Sequence, residues 1–206
     1  MALSILAARE MGLRLPIIYN TSAFDSLESL ELMNGLVDIY LPDFKVWKTS
    51  TSKRLLKADS YAETARQSIK AMHAQVGDLS FTSDGIAQRG VLLRHLVMPG
   101  KEDEGREIMR WLAKNVSQDL YVHIMEQYHP DAHVGKRKRS GSKKEPTTTL
   151  VDHPIANEPG GSKEEVRYAE INRAVTGEEL AGVRKAAEEA GLWRFCEVSE
   201  HGGFHL

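Results

Sequence analysis

An acid and a base stand two residues apart in Asp43-Phe44-Lys45. On a strand, positions i and i+2 face the same side, so both side chains can point into one mouth. An aspartate accepts hydrogen bonds from hydroxyl or ammonium groups, and a lysine pairs a carboxylate. Together they suit a zwitterionic, sugar-bearing small molecule. From spacing alone, a surface ion pair of little energetic value is the stronger reading.

Other residues carry weaker signals. Arg94-His95 interrupts an apolar run, and a charge buried there needs a partner. His95 has the chemistry of an acid–base group, but a hydrogen-bonded core histidine is the commoner case. Met98-Pro99-Gly100 lets the backbone turn sharply and approach a ligand closely. His123 and His129 are too far apart on one strand to be neighbouring metal ligands, so no zinc site is expected. Cys196 is the single cysteine. It cannot close a disulfide within the chain, nor can one thiol hold an iron–sulfur cluster or a Cys-rich zinc site. Lys136 to Arg139, with Lys143 and Lys144, form a basic cluster. A solvated insertion is the favoured reading of it, and a nuclear-import or nucleic-acid patch the alternative.

The elements that must position these residues alternate in type. Apolar runs with β-branched residues predict strands at 15–21, 37–46, 91–98 (within the stretch 85–100) and 119–130. Pro42 suits a strand end better than the middle of a ladder. Helical spacing and stop signals predict helices over 2–13, 26–35, 60–77, 102–116 and 176–195. Ser26 is placed as an N-cap, and Ser60 with Glu63 as a capping box. Strands alternating with helices point to an α/β fold with a parallel sheet or barrel. Each predicted strand ends in polar or turn residues, which is where parallel α/β folds assemble their sites.

The chain divides into residues 1–130, an insertion at 131–165 rich in Lys, Ser, Pro, Gly and Thr, and a C-terminal helix with tail at 166–206. The insertion is expected to be exposed and flexible. In 206 residues, 27 Lys and Arg against 29 Asp and Glu give a net charge of -2, which argues against a global polyanion-binding surface. No window approaches the length of apolar sequence that a transmembrane helix needs, and the N-terminus lacks signal-peptide features. A cytoplasmic protein is expected, with the nucleus open through the basic cluster.

The stretch LPIIYNTSAFDSLESLELMNGLVDIYLPDFKVW (15–47) resembles the later strands of radical S-adenosylmethionine (SAM) proteins, in the branch related to the pyruvate formate-lyase activating enzyme. RHLVMPG (94–100) is similar to that branch's strand-turn motif, YVHIMEQYHP (121–130) to its last barrel strand, and YAEINRAVTGEEL (168–180) to its C-terminal helix region. The resemblance covers roughly residues 1–130 and 168–195. It implies the C-terminal portion of a (β/α)6 partial TIM barrel with parallel strands. It also implies SAM bound across the strand ends beside a [4Fe–4S] cluster, SAM cleavage to a 5′-deoxyadenosyl radical, and hydrogen abstraction from a glycine of a partner protein. By motif, Asp43 and Lys45 match strand-end residues near the ribose and methionine moiety. Asn20 and Thr21 match the preceding strand end, where the branch usually has Asp-Thr. Pro99 and Gly100 match the turn near the adenine. His129 matches a polar residue near the nucleoside, often Arg in this branch.

The family's CxxxCxxC cluster motif and its Gly-Gly-Glu-type segment are absent. The expectation is therefore a C-terminal fragment, inactive alone, whose partner is a missing N-terminal half. A truncated gene model is the preferred explanation and a degenerate paralogue the second. The alternative function is a non-catalytic half-barrel binding or scaffold protein that uses the basic loop. Neither a membrane nor, on the main reading, a nucleic acid is an expected partner.

Overall fold

Helix starts and stops follow local chemistry in the computed structural model, which describes residues 1–137 and 166–196. α1 (Ala2–Glu10) is followed by β1 (Ile18–Thr21). α2 (Leu27–Met33) begins where the Ser26 side chain accepts from the Ser29 N–H. β2 (Ile39–Pro42) ends on its proline, the strand-end position expected for Pro42. A short turn, α3 (Thr49–Thr51), runs into a π-helical turn (Ser52–Leu56) that the hydrophobic periodicity did not reveal. α4 (Tyr61–Val76) begins without the expected capping box: Ser60 sits in the right-handed helical region, and its side chain caps nothing. Glu63 instead accepts from Arg66 and Gln67 on its own helix.

β3 (Ser80–Phe81) pairs antiparallel with β4 (Ala87–Leu96). This hairpin lies before the third predicted strand, which β4 enters four residues earlier than expected, and was not anticipated. α5 (Glu102–Asn115), β5 (Tyr121–Met125), α6 (Gly177–Glu189) and β6 (Arg194–Phe195) complete the order. Thr176 and Glu179 form a full capping box on α6.

The molecule is a mixed α/β fold with a parallel sheet, in the order β1-β2-β4-β5-β6, and β3 hangs antiparallel from β4. The parallel order never reverses. With right-handed crossovers, such a singly wound order places successive helices on one face. Burial alternates accordingly. Tyr40, Phe44, Val91, Leu93, Val97 and Val122 are sealed in the core with Leu30, Ile69, Met72, Ile108, Leu112 and Val183 of the helices. The intervening Leu41, Asp43, Lys45, Leu92, Arg94, Leu96, Tyr121 and His123 are only partly buried. Gly105 marks a close approach of α5 to the sheet and to α6, because a Cβ there would lie 2.7 Å from the His95 ring and 2.9 Å from Val183.

The segment at 131–137 is not wholly loop. Arg137 bridges Val166, and Gly135 N–H donates to the Arg167 carbonyl, so the insertion is pinched shut at its base. The expected flexible part, 138–165, and the tail 197–206 lie outside the described residues. No helix among the described residues is long and apolar enough to cross a membrane.

Candidate functional site at the strand ends

The parallel ladder carries Asp43 directly beside Arg94 through an isolated bridge that extends β2 past Pro42. Arg94 therefore meets the partner that its place in an apolar strand demanded. Its Nε donates to Asp43 Oδ1 at 2.7 Å, and its Nη2 donates to Asn20 Oδ1 at 2.7 Å. Lys45 Nζ donates to the other Asp43 oxygen at 2.8 Å. Four side chains from β1, β2 and β4 thus form one network on the half-exposed sheet face. Asp43, Arg94 and Lys45 keep 18%, 24% and 35% of their side-chain surface, so the network is within reach of solvent and of a ligand.

Backbone geometry behind the network is held by Tyr61, the first residue of α4. Its hydroxyl accepts from Lys45 N–H at 2.9 Å and donates to the Asp43 carbonyl at 2.7 Å. Burial pushes that hydroxyl's pKa up, so it remains a donor. The next loop is fixed by Glu104, which is 4% exposed. Its carboxylate accepts from Trp47 N–H at 2.9 Å, from Lys48 N–H at 2.8 Å and from the Thr51 hydroxyl. Sequence reading had missed Tyr61 and Glu104. Their roles depend on contacts 16 to 57 residues away, for which no local pattern exists.

The other expected site residues divide. Thr21 is the last residue of β1, and its hydroxyl donates to Asp25 and accepts from Ala23 N–H in the turn that follows. It neighbours Asn20 but is committed to that turn. Pro99 is buried. Gly100 takes a φ of +68°, and its N–H donates to Glu179 Oε1 at 2.7 Å. Glu179 also receives Arg173, which holds its carboxyl well below the usual carboxylate range. The Pro99-Gly100 turn is thus pinned to the start of α6. His129 is exposed beyond β5 and makes no hydrogen bond to the network.

His95 is the hydrogen-bonded core histidine of the two readings. It is 3% exposed, its Nδ1 lies 2.7 Å from the Phe44 carbonyl, and burial pushes its pKa down despite that bond and the nearby Glu104. His123 stands opposite Arg94 in the β4–β5 register. Burial, then the Arg94 charge, push its pKa down, so at neutral pH it is an uncharged neighbour of the network. Among the described residues, no group of three or more His, Cys, Asp or Glu is placed to hold a metal ion.

No family model matches the chain. An uncharacterized protein of Methanocaldococcus jannaschii is 31% identical over 118 residues, which cover 57% of this chain and 30% of that relative. The match thus spans less than a third of the relative's length.

Proposed function

We propose that this chain supplies the later strands of a radical SAM, activase-like barrel, and that the Asn20–Arg94–Asp43–Lys45 face looks toward SAM. One observation carries the reading. A singly wound parallel sheet is buried on one face and presents a polar network at its strand ends on the other. In parallel α/β folds that is where ligands sit. Arg94 and Lys45 have the chemistry to hold a carboxylate, as the amino-acid end of SAM offers. Asp43 orients both cations. When bound, SAM supplies the radical chemistry, and hydrogen abstraction from a glycyl-radical-type partner protein is part of the same reading.

A [4Fe–4S] cluster does not fit this chain's own donors. Cys196 is the single cysteine, whereas clusters are held by several thiolates. The reading therefore places the cluster ligands in a missing N-terminal half. The N-terminal flank fits such a partner: β1 is an edge strand, and Ile18 on it is 58% exposed, with Leu3, Met11 and Leu15 earlier in the chain 82%, 89% and 74% exposed.

A second reading, a non-catalytic half-barrel scaffold, has its own support. Both Asp43 oxygens, the Thr21 hydroxyl and the Gly100 N–H already have protein partners. The two readings part in an NMR titration of the full chain with millimolar SAM. Shifts confined to Asn20, Asp43, Lys45, Arg94 and Gly100 support the first, and an unchanged spectrum both here and in a complete barrel that contains this chain overturns it in favour of the scaffold. Anaerobic iron–sulfide reconstitution of the same chain is expected to give no stable cluster absorption. A stoichiometric cluster would sink the fragment reading.

A further inference from the structure

The basic cluster read from the sequence begins within the described residues, at Lys136 and Arg137. Arg137 bridges Val166, and Arg167 N–H donates to the Lys136 carbonyl at 3.0 Å, so the cluster lies against a further basic residue, Arg167. Tyr168 follows it in the chain. Arg54 Cζ lies 5.4 Å and Lys57 Nζ 5.3 Å from the centroid of the Tyr168 ring. The Lys57 hydrogen bond, then the charges of Lys57, Arg54 and Arg167, push the Tyr168 hydroxyl's pKa down, which registers a positive field at that point. Arg54 grips Glu170 from Nε and Nη2, and the Lys101 charge acts on the same carboxylate.

The backbone holds these cations together. Lys57 follows the π-helical turn with a φ of +59°, and Tyr168, in contact with it, has a φ of +53°. Both are non-glycine residues in the left-handed region, a costly conformation that clusters at ligand clamps. The Ser52 hydroxyl donates to the Ala58 carbonyl at 2.6 Å across the turn. The Tyr128 hydroxyl donates to the Ile171 carbonyl at 3.0 Å, which ties the segment after Tyr168 to the chain leaving β5. The cations therefore stand at the carboxyl ends of the strands. Nearby acids are spent, Glu170 on Arg54 and Asp59 on Lys53. Lys101, Lys136 and Arg167 make no ion pair among the described residues.

We infer that Arg54, Lys57, Lys101, Lys136 and Arg167, grouped around Tyr168, form a docking surface for an acidic segment of a partner protein. This goes beyond the proposed function and stands whether or not SAM binds the strand ends. Carboxylates match the ammonium and guanidinium donors, and cations gathered from separate stretches of the chain select the opposite charge on a partner. A single-stranded nucleic acid would need an open aromatic face for its bases, and the Tyr168 ring already carries two cations. The net charge of -2 also argues against a wide positive stripe for a phosphate backbone to follow.

Titration of the full chain into a short fluorescent oligoglutamate peptide, read by anisotropy, tests this. Binding is expected, and added salt should weaken it, because exposed charges are screened. Lys57→Glu with Arg167→Glu should weaken it about tenfold or more. Lys114→Glu with Lys185→Glu makes the same charge change at exposed positions of α5 and α6 and should leave affinity within about twofold. Arg167→Glu alone should give a smaller loss, and it serves if the first double variant fails to fold. No binding by the parent chain, equal losses in the two double variants, or tighter binding of an oligothymidylate of equal charge overturns the proposal. So does a loss that appears only when Lys138, Arg139, Lys143 and Lys144 are neutralised.

Discussion

On the helix side of the sheet, Tyr40, Phe44, Val91, Leu93 and Val122 lie against α4, α5 and α6 with almost no surface left. One residue along each strand, Leu41, Asp43, Leu92, Arg94 and Tyr121 look the other way and keep part of theirs. The same backbone ladder supports both sets, so the difference lies in what covers them. The covered face holds the stabilising apolar contacts. The other face, freed from that task, tolerates an arginine in the middle of β4 provided Asp43 and Asn20 meet it. Position along the strand then decides role: bulky residues where helices press, and charged ones at the carboxyl ends where the opposite face opens.

The comparison breaks most sharply at adjacent residues of β4. Leu93→Ala deletes a fully buried side chain and is expected to cost about 2–5 kcal/mol, since the surrounding core relaxes only partly. Leu92→Ala, on the other face, should cost about 1 kcal/mol or less, because less apolar area leaves contact. Urea denaturation of the two variants measures the contrast. Equal losses would mean that the second face is as closely packed as the first.

Glu104 sharpens the comparison, because it is a charge on the covered side that serves the strand ends. Glu104→Ala leaves the Trp47 and Lys48 N–H groups and the Thr51 hydroxyl without their acceptor, at a cost of about 1–3 kcal/mol. Glu104→Gln keeps one acceptor oxygen and should lose less. Denaturation midpoints give the cost, and backbone shifts at Lys45 and Trp47 report whether the loop after β2 has moved. A stable alanine variant with unchanged shifts would remove Glu104 from the account of how Lys45 is positioned.

Much of this arrangement was legible in the sequence. Strand and helix alternation gave the parallel α/β class, and Ser26, Pro42 and Thr176 marked ends that local chemistry enforces. Arg94 in an apolar run announced a partner, and Asp43 with Lys45 announced a shared face. What stayed hidden depends on distance along the chain. Asn20 and Arg94 are 74 residues apart, and Glu104 is more than 50 from its three donors. The Ser60–Glu63 pattern misled because its residues have the correct spacing but Ser60 takes a helical backbone angle, from which its hydroxyl caps nothing. The β3 strand is two residues long, too short for an alternating pattern to register.

Acid separates the two faces by a smaller energy. His95 is buried with its pKa pushed below the usual histidine value, chiefly by loss of water. The unfolded chain binds a proton near pH 6.5 that the native protein refuses, so His95 favours the folded state above that pH and the advantage is lost as pH falls below it. The slope is at most about 1.4 kcal/mol per pH unit for this one proton. His123 shifts in the same direction but keeps contact with solvent and should add less. Stability measured from pH 7.5 down to pH 5 should therefore fall, and His95→Gln should flatten most of the fall. A slope unchanged in that variant would assign the effect elsewhere.

The smallest effect belongs to the strand-end network itself. Lys45→Ala removes one partner of Asp43, and Arg94 retains its 2.7 Å bond to the same carboxylate. The ammonium is about one-third exposed, so solvent screens the pair and the stability cost should be about 0.2–1 kcal/mol. On the proposed function, the same change removes a charged donor from the SAM-facing surface. A charged hydrogen bond is worth about 1.5–3 kcal/mol, or roughly ten- to hundredfold in affinity. Stability and SAM binding are thus expected to part company in this variant. Denaturation and calorimetric titration of a complete barrel that contains this chain measure the two numbers. Unchanged affinity with a normal fold would leave Lys45 and Asp43 as a strand-end ion pair and nothing more.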